Sequence, residues 1–215
     1  MKNPHIIIEG LDGAGKGLTC DTVEKTLVEM GITTHRTREP GGTPLAEAIR
    51  GIFKSVWENE IVSPKTDIMM LYSAREQLYT NMIMPILAEG DTAIIQDRSW
   101  MTGFAYQLRG LGILTDEKFW TVHNFVMNDK PTPDLVILLD IPPEIGFERI
   151  LKARGDNSAD RMEIYDMEFY QKARQGYLEL LSDNLVPNMV KVDANRPIEE
   201  VQRDIAELVK QTVAR

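Results

Sequence analysis

An apolar run that leads directly into a glycine-rich loop is the feature that most constrains how this chain can fold. Residues 5–9, HIIIE, are typical of a buried strand, and the loop GLDGAGKGLT, residues 10–19, follows at once. Beyond the loop, apolar side chains recur at helical spacing, at Cys20, Val23, Leu27 and Met30. Gly31 suits the end of this helix. The sequence therefore predicts a strand, a tight turn and a helix in direct succession, with Cys20 in the core.

Four more short segments, separated by helical patterns, are interpreted as strands. They are residues 34–39, 92–97, 134–140 and 189–193. Ser63 and Pro64 are typical of a helix N-terminus; we expect that helix to reach about Leu87, and a last helix to cover about 197–213. Because mostly apolar strands alternate with helices, the sequence predicts an α/β fold with helices on both faces of a five-stranded parallel sheet. Ligands of such sheets bind at the carboxyl ends of the strands.

Composition and charge narrow the class of protein. The 215 residues are 43% hydrophobic and 27% charged, and no repeat or linker divides them, so we expect one domain over residues 1–215. The single Cys20 excludes an internal disulfide, and no apolar run has membrane-spanning length. We therefore expect a cytoplasmic protein without a membrane partner. The formal net charge of −9 argues against a nucleic-acid partner, so a small anionic ligand would need a local cluster of Arg and Lys.

The glycine-rich loop has the spacing of a phosphate-binding loop. Gly10, Gly15 and Lys16 match the pattern G-x-x-x-x-G-K. Glycines let successive backbone N–H groups point at phosphate oxygens, and the following helix N-terminus and the lysine add positive charge. The alternative is a plain strand-to-helix turn that happens to contain a lysine. The candidate phosphate-binding residues are Gly10, Gly13, Ala14, Gly15, Lys16 and Gly17.

One position departs from that pattern. Gly17 stands where the pattern normally carries a Ser or Thr whose hydroxyl ligates Mg²⁺, and Thr19 supplies the first hydroxyl beyond it. Magnesium keeps several waters and needs only one or two carboxylates, so the missing hydroxyl need not abolish its binding. Asp12 and Asp97 are the candidate metal ligands. The alternative for Asp97 is a polar residue that caps a turn at the end of a strand.

Several segments together resemble the thymidylate kinase family. They are IEGLDGAGKG (8–17), TREPGGTPLAEAIR (37–50), LYSAREQ (71–77), DRSWMTGFAYQ (97–107), PDLVILLDIPPEIGFERI (133–150) and ARGDNSADR (153–161). The resemblance implies a three-layer fold of the P-loop NTPase type and a single nucleoside monophosphate kinase domain. It also implies transfer of the γ-phosphate of ATP to dTMP, giving dTDP, with Mg²⁺ as cofactor and a homodimer as the usual assembly.

The resemblance implies roles for residues that would hold the nucleoside of dTMP. Arg75 falls on the apolar face of its helix, so its guanidinium needs a fixed acceptor. That acceptor is an internal carboxylate or, by resemblance, a carbonyl of thymine. Tyr72 would stack on the base, Gln107 would read its Watson–Crick edge, and Tyr106 would lie near the sugar and oppose a 2′-hydroxyl. The alternative for Tyr106 and Gln107 is an ordinary aromatic–polar helix pair.

The remaining implied roles concern phosphate and catalysis. By resemblance, Arg38 and Arg98 hold the dTMP phosphate, with surface arginines as the alternative. Pro40, at the position of the family's cis peptide, and Thr102 complete the dTMP-binding set. The implied catalytic residues are Lys16, Asp12, Arg98 and Arg154.

The implied lid is residues 152–163, for which a solvated charged loop is the alternative. Arg154, with Arg161 as second candidate, would stabilise charge on the transferring phosphoryl group.

Two further segments depart from the family pattern. AYQLRGLGI, residues 105–113, differs from the family's AYQGGGRG, so the role of Arg109 is unassigned, and the lid is about two residues longer.

The favoured function is a dTMP kinase. A kinase for another 5-substituted deoxyuridylate is the second, and Trp100 and Met101 are where its altered pocket is expected. The third is a P-loop protein that binds nucleotide without turnover, suggested by Gly17 alone.

Overall fold

The computed structural model of the protein describes residues 3–112, 114–154 and 165–214, without the side chains of residues 153 and 154. One parallel sheet has the spatial order β2-β3-β1-β4-β5. Its strands are β1 (His5–Gly10), β2 (Thr33–Arg38), β3 (Thr92–Asp97), β4 (Leu135–Asp140) and β5 (Met189–Asp193). The five-stranded parallel sheet is therefore confirmed, and its strand bounds differ from the predicted ones by at most one residue.

Helices connect these strands and cover the sheet. They are α1 (Lys16–Glu29), α2 (Pro44–Lys54), α3 (Pro64–Leu78), α4 (Met84–Glu89), α5 (Trp100–Gly103), α6 (Asp116–Met127), α7 (Pro143–Arg154), α8 (Met167–Ser182) and α9 (Ile198–Val213). Two further segments, π1 (Tyr79–Ile83) and π2 (Phe104–Gly110), are π-helical, which the sequence did not predict. Within the described ranges, none of the helices combines the length and apolar character needed to cross a membrane.

The two faces of the sheet carry separate hydrophobic clusters. Ile6 and Ile8 point to the face covered by α1 and α9, where Cys20 is buried as predicted. Ile7, between them, points to the opposite face, which π2, α6 and α8 cover. Each of the three isoleucines is at most 1% exposed, and burying such a side chain stabilises a fold by about 1.5–3 kcal/mol. The three-layer architecture is thus confirmed.

The long helix predicted from Ser63 to about Leu87 is confirmed in extent. The Ser63 side chain accepts a hydrogen bond from the Thr66 N–H (3.2 Å), and Pro64 takes the first helical position. α3, π1 and α4 then follow one another without a break.

Two backbone bonds gather the loops at the carboxyl edge of the sheet. The Glu39 N–H donates to the carbonyl oxygen of Asp97 (2.9 Å), and the Arg98 N–H donates to that of Ile8 (2.9 Å). The segments that follow β1, β2 and β3 therefore meet at one edge, where a parallel sheet places its ligands.

Candidate active site

The phosphate loop is a tight backbone turn that closes on the N-terminus of α1. Gly15, directly before the helix, has a left-handed conformation (φ 95°), and Gly13 has φ 77°. A side chain at Gly13 would collide with the carbonyl oxygen of Gly146 on α7. Ala14 is buried and donates its N–H to the carbonyl oxygen of Leu11 (3.2 Å). Glycine is thus needed at 13 for space and at 15 for its left-handed backbone, and the turn ends at a helix N-terminus, the kind of place where proteins bind anions.

Lys16 lies inside this loop. Its Nζ donates to the carbonyl oxygens of Gly10 (3.2 Å) and Leu11 (2.9 Å) and lies 3.7 Å from a carboxylate oxygen of Asp12. Burial and the charge of Arg98 lower its pKa, whereas the carboxylate of Asp12 raises it. The lysine is therefore a buried side chain whose ammonium group is held by carbonyl oxygens of its own loop.

Gly17 differs from Gly10, Gly13 and Gly15 because, within the described ranges, neither a close neighbour nor a left-handed backbone requires glycine there. A Cβ at this position would have no neighbouring atom within 4 Å, and its φ lies outside the left-handed region. Leu18, the next residue, is half exposed. The departure at position 17 is therefore a missing hydroxyl at an open place, with no steric demand for glycine.

Arg98 connects the phosphate loop to π2. Its guanidinium contacts the Asp12 carboxylate directly, and its Nη1 donates to the Thr102 hydroxyl (3.2 Å). It also lies 5.5 Å from the ring centroid of Tyr106, whose hydroxyl donates to Asp12 (3.1 Å). Burial acts to raise the pKa of Asp12, but the charges of Arg98 and Lys16 outweigh it and lower the pKa to about 2. The structure thus brings these predicted residues together.

Glu9 holds the residues around Arg98 in place, a role that the sequence did not indicate. Its fully buried carboxylate accepts hydrogen bonds from the Ser99 N–H and hydroxyl (2.7 Å each), from Thr102 (2.7 Å) and from Tyr177 (2.9 Å). Burial raises its pKa. The only sequence signal was a carboxylate at the end of an otherwise apolar strand. Glu9 fixes the residues that flank Arg98, which itself has a left-handed backbone (φ 69°).

A cavity opens at this edge of the sheet, between α2, α3 and π2. The predicted residues that line it are Asp12, Pro40, Arg75, Arg98, Thr102, Tyr106 and Gln107. Those that were not predicted include Glu39, Arg50, Phe53 and Leu71. The peptide bond between Glu39 and Pro40 is cis.

Arg75 is held by a carboxylate and also keeps an unused donor. The residue is 2% exposed, and its Nε donates to Glu39 (2.7 Å), which accepts a second bond from Gln96 (2.9 Å). Its Nη1 is buried without a hydrogen-bond partner among the described residues. The internal carboxylate considered as an alternative is therefore present, and Nη1 of the guanidinium still has no acceptor in the described part of the chain.

Gln107 presents the complementary group in the same cavity. It is 2% exposed, and its Oε1 is also buried without a hydrogen-bond partner in the part of the chain that the structure describes. Buried polar atoms without partners are uncommon in folded proteins, and each costs about 1–3 kcal/mol. One cavity thus contains an unused buried donor and an unused buried acceptor.

Tyr72 does not line the cavity, in contrast to the prediction. Its ring lies under the Arg75 guanidinium (4.4 Å to the ring centroid), and its hydroxyl is 3.2 Å from Nδ1 of His123. Leu71, one helical turn before Arg75, lies at the cavity surface instead. Leu71 and Tyr72 both lie on the apolar face of the predicted helix. The sequence alone therefore could not show that Leu71 faces the cavity and Tyr72 faces the core.

Arg38 also lies away from the cavity lining. It is exposed and pairs with Glu47 (2.9 Å). Arg50 lines the cavity and donates to the carbonyl oxygen of Pro40 (2.9 Å). Burial and the nearby charges of Arg38 and Arg98 lower the pKa of Arg50. Three guanidinium groups are therefore close enough to interact at this end of the cavity. The segment TREPGGTPLAEAIR contained Arg50, but its helix face could not be assigned from the sequence.

The two candidate metal ligands lie near Lys16 but differ in their contacts. Asp12 is engaged by Arg98, Lys16 and Tyr106, whereas Oδ1 of Asp97 is buried without a partner among the described residues. Within the described ranges, no cluster of three or more His, Cys, Asp or Glu is present. Magnesium bound through one or two carboxylates, waters and phosphate oxygens needs no such cluster, so the residues present fit the ion.

Three further predictions fall elsewhere. Trp100 packs among aromatic side chains, 4.4 Å from the ring of His123, and Met101 is fully buried, so neither lines the cavity. The side chain of Arg154, Arg161 and most of the predicted lid lie outside the described residues.

Comparison with known proteins identifies the family. A family model described as thymidylate kinase matches residues 8–205. The chain belongs to the thymidylate kinase family. A protein named thymidylate kinase from Glaesserella parasuis is 42% identical over 212 residues, which cover 98% of this chain and 97% of the relative. A second, from Alteromonas mediterranea, is 37% identical over 214 residues, covering 100% and 92%.

Proposed function

We propose that this chain transfers the γ-phosphoryl group of ATP to dTMP, giving dTDP. Membership of the thymidylate kinase family supports this activity. The observation on which the choice of acceptor rests is the pair of unused buried atoms in the cavity, Nη1 of Arg75 and Oε1 of Gln107. A ligand that satisfies both would recover the cost of leaving them without partners.

The base edge of thymine matches this pair. Thymine offers a carbonyl oxygen at position 4 and an N–H at position 3, so it can accept from Arg75 and donate to Gln107. Cytosine offers an amino group and an unprotonated nitrogen at those positions and would leave both atoms unpaired. Phe53 and Leu71 supply apolar surface for the ring. The pair therefore favours a thymine or uracil base over cytosine.

The arginines of the cavity suit the phosphate of the acceptor. Arg98 and Arg50 line it, and a guanidinium can bind phosphate through two parallel hydrogen bonds. A chain with a formal net charge of −9 needs such a local cluster to attract an anion. The Tyr106 hydroxyl, held on Asp12, would lie at the sugar between base and phosphate.

Transfer itself requires positioning and charge neutralisation more than covalent chemistry. Lys16 would exchange its two loop carbonyls for phosphate oxygens of ATP, and Arg98 lies between the loop and the acceptor cavity. The acceptor is already an anion, so no strong general base is needed. Asp97 and Asp12 would hold Mg²⁺, which neutralises charge on the phosphates of ATP. Arg154 stays a prediction for the lid.

The direct test is ADP release from ATP and Mg²⁺ with dTMP, dUMP or no acceptor. We expect release that depends on dTMP. Equal rates with dUMP would show that the pocket does not select the methyl group of thymine, and faster release with another 5-substituted deoxyuridylate would favour the second hypothesis. Tight ATP binding without acceptor-dependent release would contradict the kinase assignment.

A matched pair of variants sharpens this test. Gln107→Leu should raise the KM for dTMP, whereas Gln171→Leu, which changes an exposed glutamine bound to Glu144 (3.3 Å), should leave it unchanged.

We also propose that the chain assembles as a homodimer. Large apolar side chains are exposed around α3 and α6: Val56, Trp57, Ile61, Met69 and Phe125. Exposed large apolar side chains that gather in one region of a protein are typical of interaction sites. Sedimentation equilibrium of the wild type and of Phe125→Glu tests this, with a dimer expected for the first and a weakened dimer for the second. A monomeric wild type would contradict the proposal.

A further inference from the structure

The segment that presents Gln107 to the cavity has an uncommon backbone. In π2 the Leu111 N–H donates to the carbonyl oxygen of Tyr106 (2.9 Å), five residues earlier, which is π-helical spacing. Such turns are rare, and they are frequent at functional sites. A π-helical segment of seven residues therefore needs tertiary contacts that select it over an ordinary α-helix.

Arg109 supplies those contacts at the end of π2. Its Nε and Nη2 donate to the two carboxylate oxygens of Glu179 on α8 (2.6 and 2.5 Å). Its Nη1 and Nη2 donate to the two oxygens of Asp116 at the start of α6 (2.7 Å each). The guanidinium also lies 4.6 Å from the ring centroid of Phe104. Both edges of the guanidinium are thus used to connect π2 to two other helices.

Gly176 on α8 makes room for the stem of Arg109. A Cβ at Gly176 would lie 2.9 Å from Cγ of Arg109 and 3.1 Å from Cα of Ala105, both closer than ordinary contact. Helix α8 therefore packs directly on the turn that contains Gln107, and the absent side chain leaves space for the arginine.

We propose that Arg109 is a positioning residue for recognition of the pyrimidine base. By connecting π2 to α6 and α8, it holds Gln107 so that Oε1 faces the cavity. Arg109 does not line the cavity itself and acts through Gln107, two residues away. The inference rests on the proposed function for the identity of the base.

A double-mutant cycle tests this coupling. Arg109→Lys keeps the charge but loses the paired geometry, because an ammonium is a point charge without a fork. We expect the KM for dTMP to rise about threefold to thirtyfold, which lies within the roughly twofold to hundredfold coupling of residues in one hydrogen-bond network, and the KM for ATP to change less than about twofold. Added to Gln107→Leu, the same change should alter the KM for dTMP by less than about twofold.

A merely structural role would give a different result. It would raise the KM for dTMP by the same factor with or without Gln107, or would raise the KM values for both substrates together, and either result overturns the inference. Arg36→Lys is the matched control, since Arg36 pairs with Asp21 (2.6 Å) between β2 and α1 and does not line the cavity, so it should change neither constant.

Two additional measurements keep the test decisive. If Arg109→Lys does not fold, as judged by circular dichroism, Asp116→Asn removes one of the two partners at an exposed position and should act in the same direction, less strongly. A wild type without dTMP-dependent ADP release contradicts the proposed function and, with it, this role. An active wild type with independent Arg109 and Gln107 effects contradicts this inference alone.

Discussion

The phosphate loop and the acceptor cavity meet at one edge of the sheet but are built in different ways. The loop consists of backbone turns and one buried cation, Lys16, and position 17 has open space around it. The cavity consists of buried side chains that hold one another, as Glu39 holds Arg75. Backbone N–H groups can bind a phosphate whatever side chain stands at an open position, whereas a base edge needs particular side chains. The loop should therefore tolerate a change at position 17, where the space is open, whereas the cavity should not tolerate loss of a side chain that holds another.

The largest effect is expected at the buried ion pair of the cavity. Arg75→Met would leave the Glu39 carboxylate, which is 4% exposed, without its cation and should reduce the free energy of unfolding by about 3–5 kcal/mol. Urea denaturation measures this. Arg36→Met is the control, because its partners Asp21 and Glu24 are exposed, and it should cost less than about 1 kcal/mol. Equal losses for the two variants would contradict the contrast between the regions.

The second-largest effect is expected at Lys16, where kcat and dTMP affinity should respond differently. Lys16→Met should lower kcat by about 10²–10³, as the loss of a preorganised charge at a transferring group does, and should leave dTMP affinity unchanged. Steady-state assays with calorimetric dTMP titration measure both. Lys25→Met, on the exposed face of α1, should change neither. A large loss of dTMP affinity in Lys16→Met would show that the two regions are not separate.

The sequence predicted the loop better than the cavity, for a physical reason. Loop residues are adjacent in the chain, so the spacing of Gly10, Gly15 and Lys16 already determines their arrangement. The cavity side chains come from α2, α3 and π2, and their direction depends on helix faces. The sequence therefore indicated Tyr72 where the structure has Leu71, and Arg38 where Arg50 lines the cavity.

The buried carboxylates that hold the cavity side chains were harder still to predict. Glu9 and Glu39 are single carboxylates whose partners lie far away in sequence, and no local pattern marks them. The π-helical spacing of π2 likewise depends on tertiary contacts, which an ordinary helical pattern does not reveal. The parallel sheet is different, because alternation of apolar strands and helices predicts it directly, although the order of its strands was not predicted.

A pH effect should arise on the cavity side. Burial, together with the charge of Arg75, lowers the pKa of His123 to about 4, below its ordinary value of 6.5. Between these values the unfolded chain binds a proton that the folded protein does not, so stability falls as the pH falls from about 7 to 4. The share due to His123 is about 1–3 kcal/mol, at 1.36 kcal/mol per pKa unit.

The variant His123→Phe should remove this share of the pH dependence. It keeps an aromatic ring among Trp100, Phe119 and Trp120 while removing the titrating group. Urea denaturation at pH 7 and pH 4.5 should show a smaller loss of stability in the variant. The same loss in both proteins would contradict the assignment.

The smallest effect is expected at the altered loop position. Gly17→Thr enters open space and replaces glycine in a helix, so it should stabilise the protein by less than about 0.5 kcal/mol. Since Mg²⁺ can be bound through carboxylates, waters and phosphate oxygens without this hydroxyl, we expect kcat to change less than about threefold. Gly13→Ala is the contrasting control, because its side chain would meet Gly146. A gain of a hundredfold or more in Gly17→Thr would show that the missing hydroxyl limits the enzyme.

Arg75 and Gln107 are proposed to select the acceptor through two buried atoms that have no hydrogen-bond partner among the described residues. The most direct measurement is calorimetric binding of dTMP, dUMP and dCMP to the wild-type protein. We expect dTMP and dUMP to bind more tightly than dCMP by about tenfold to a hundredfold or more, since dCMP leaves both atoms unpaired. Equal affinity for dTMP and dCMP would contradict the account.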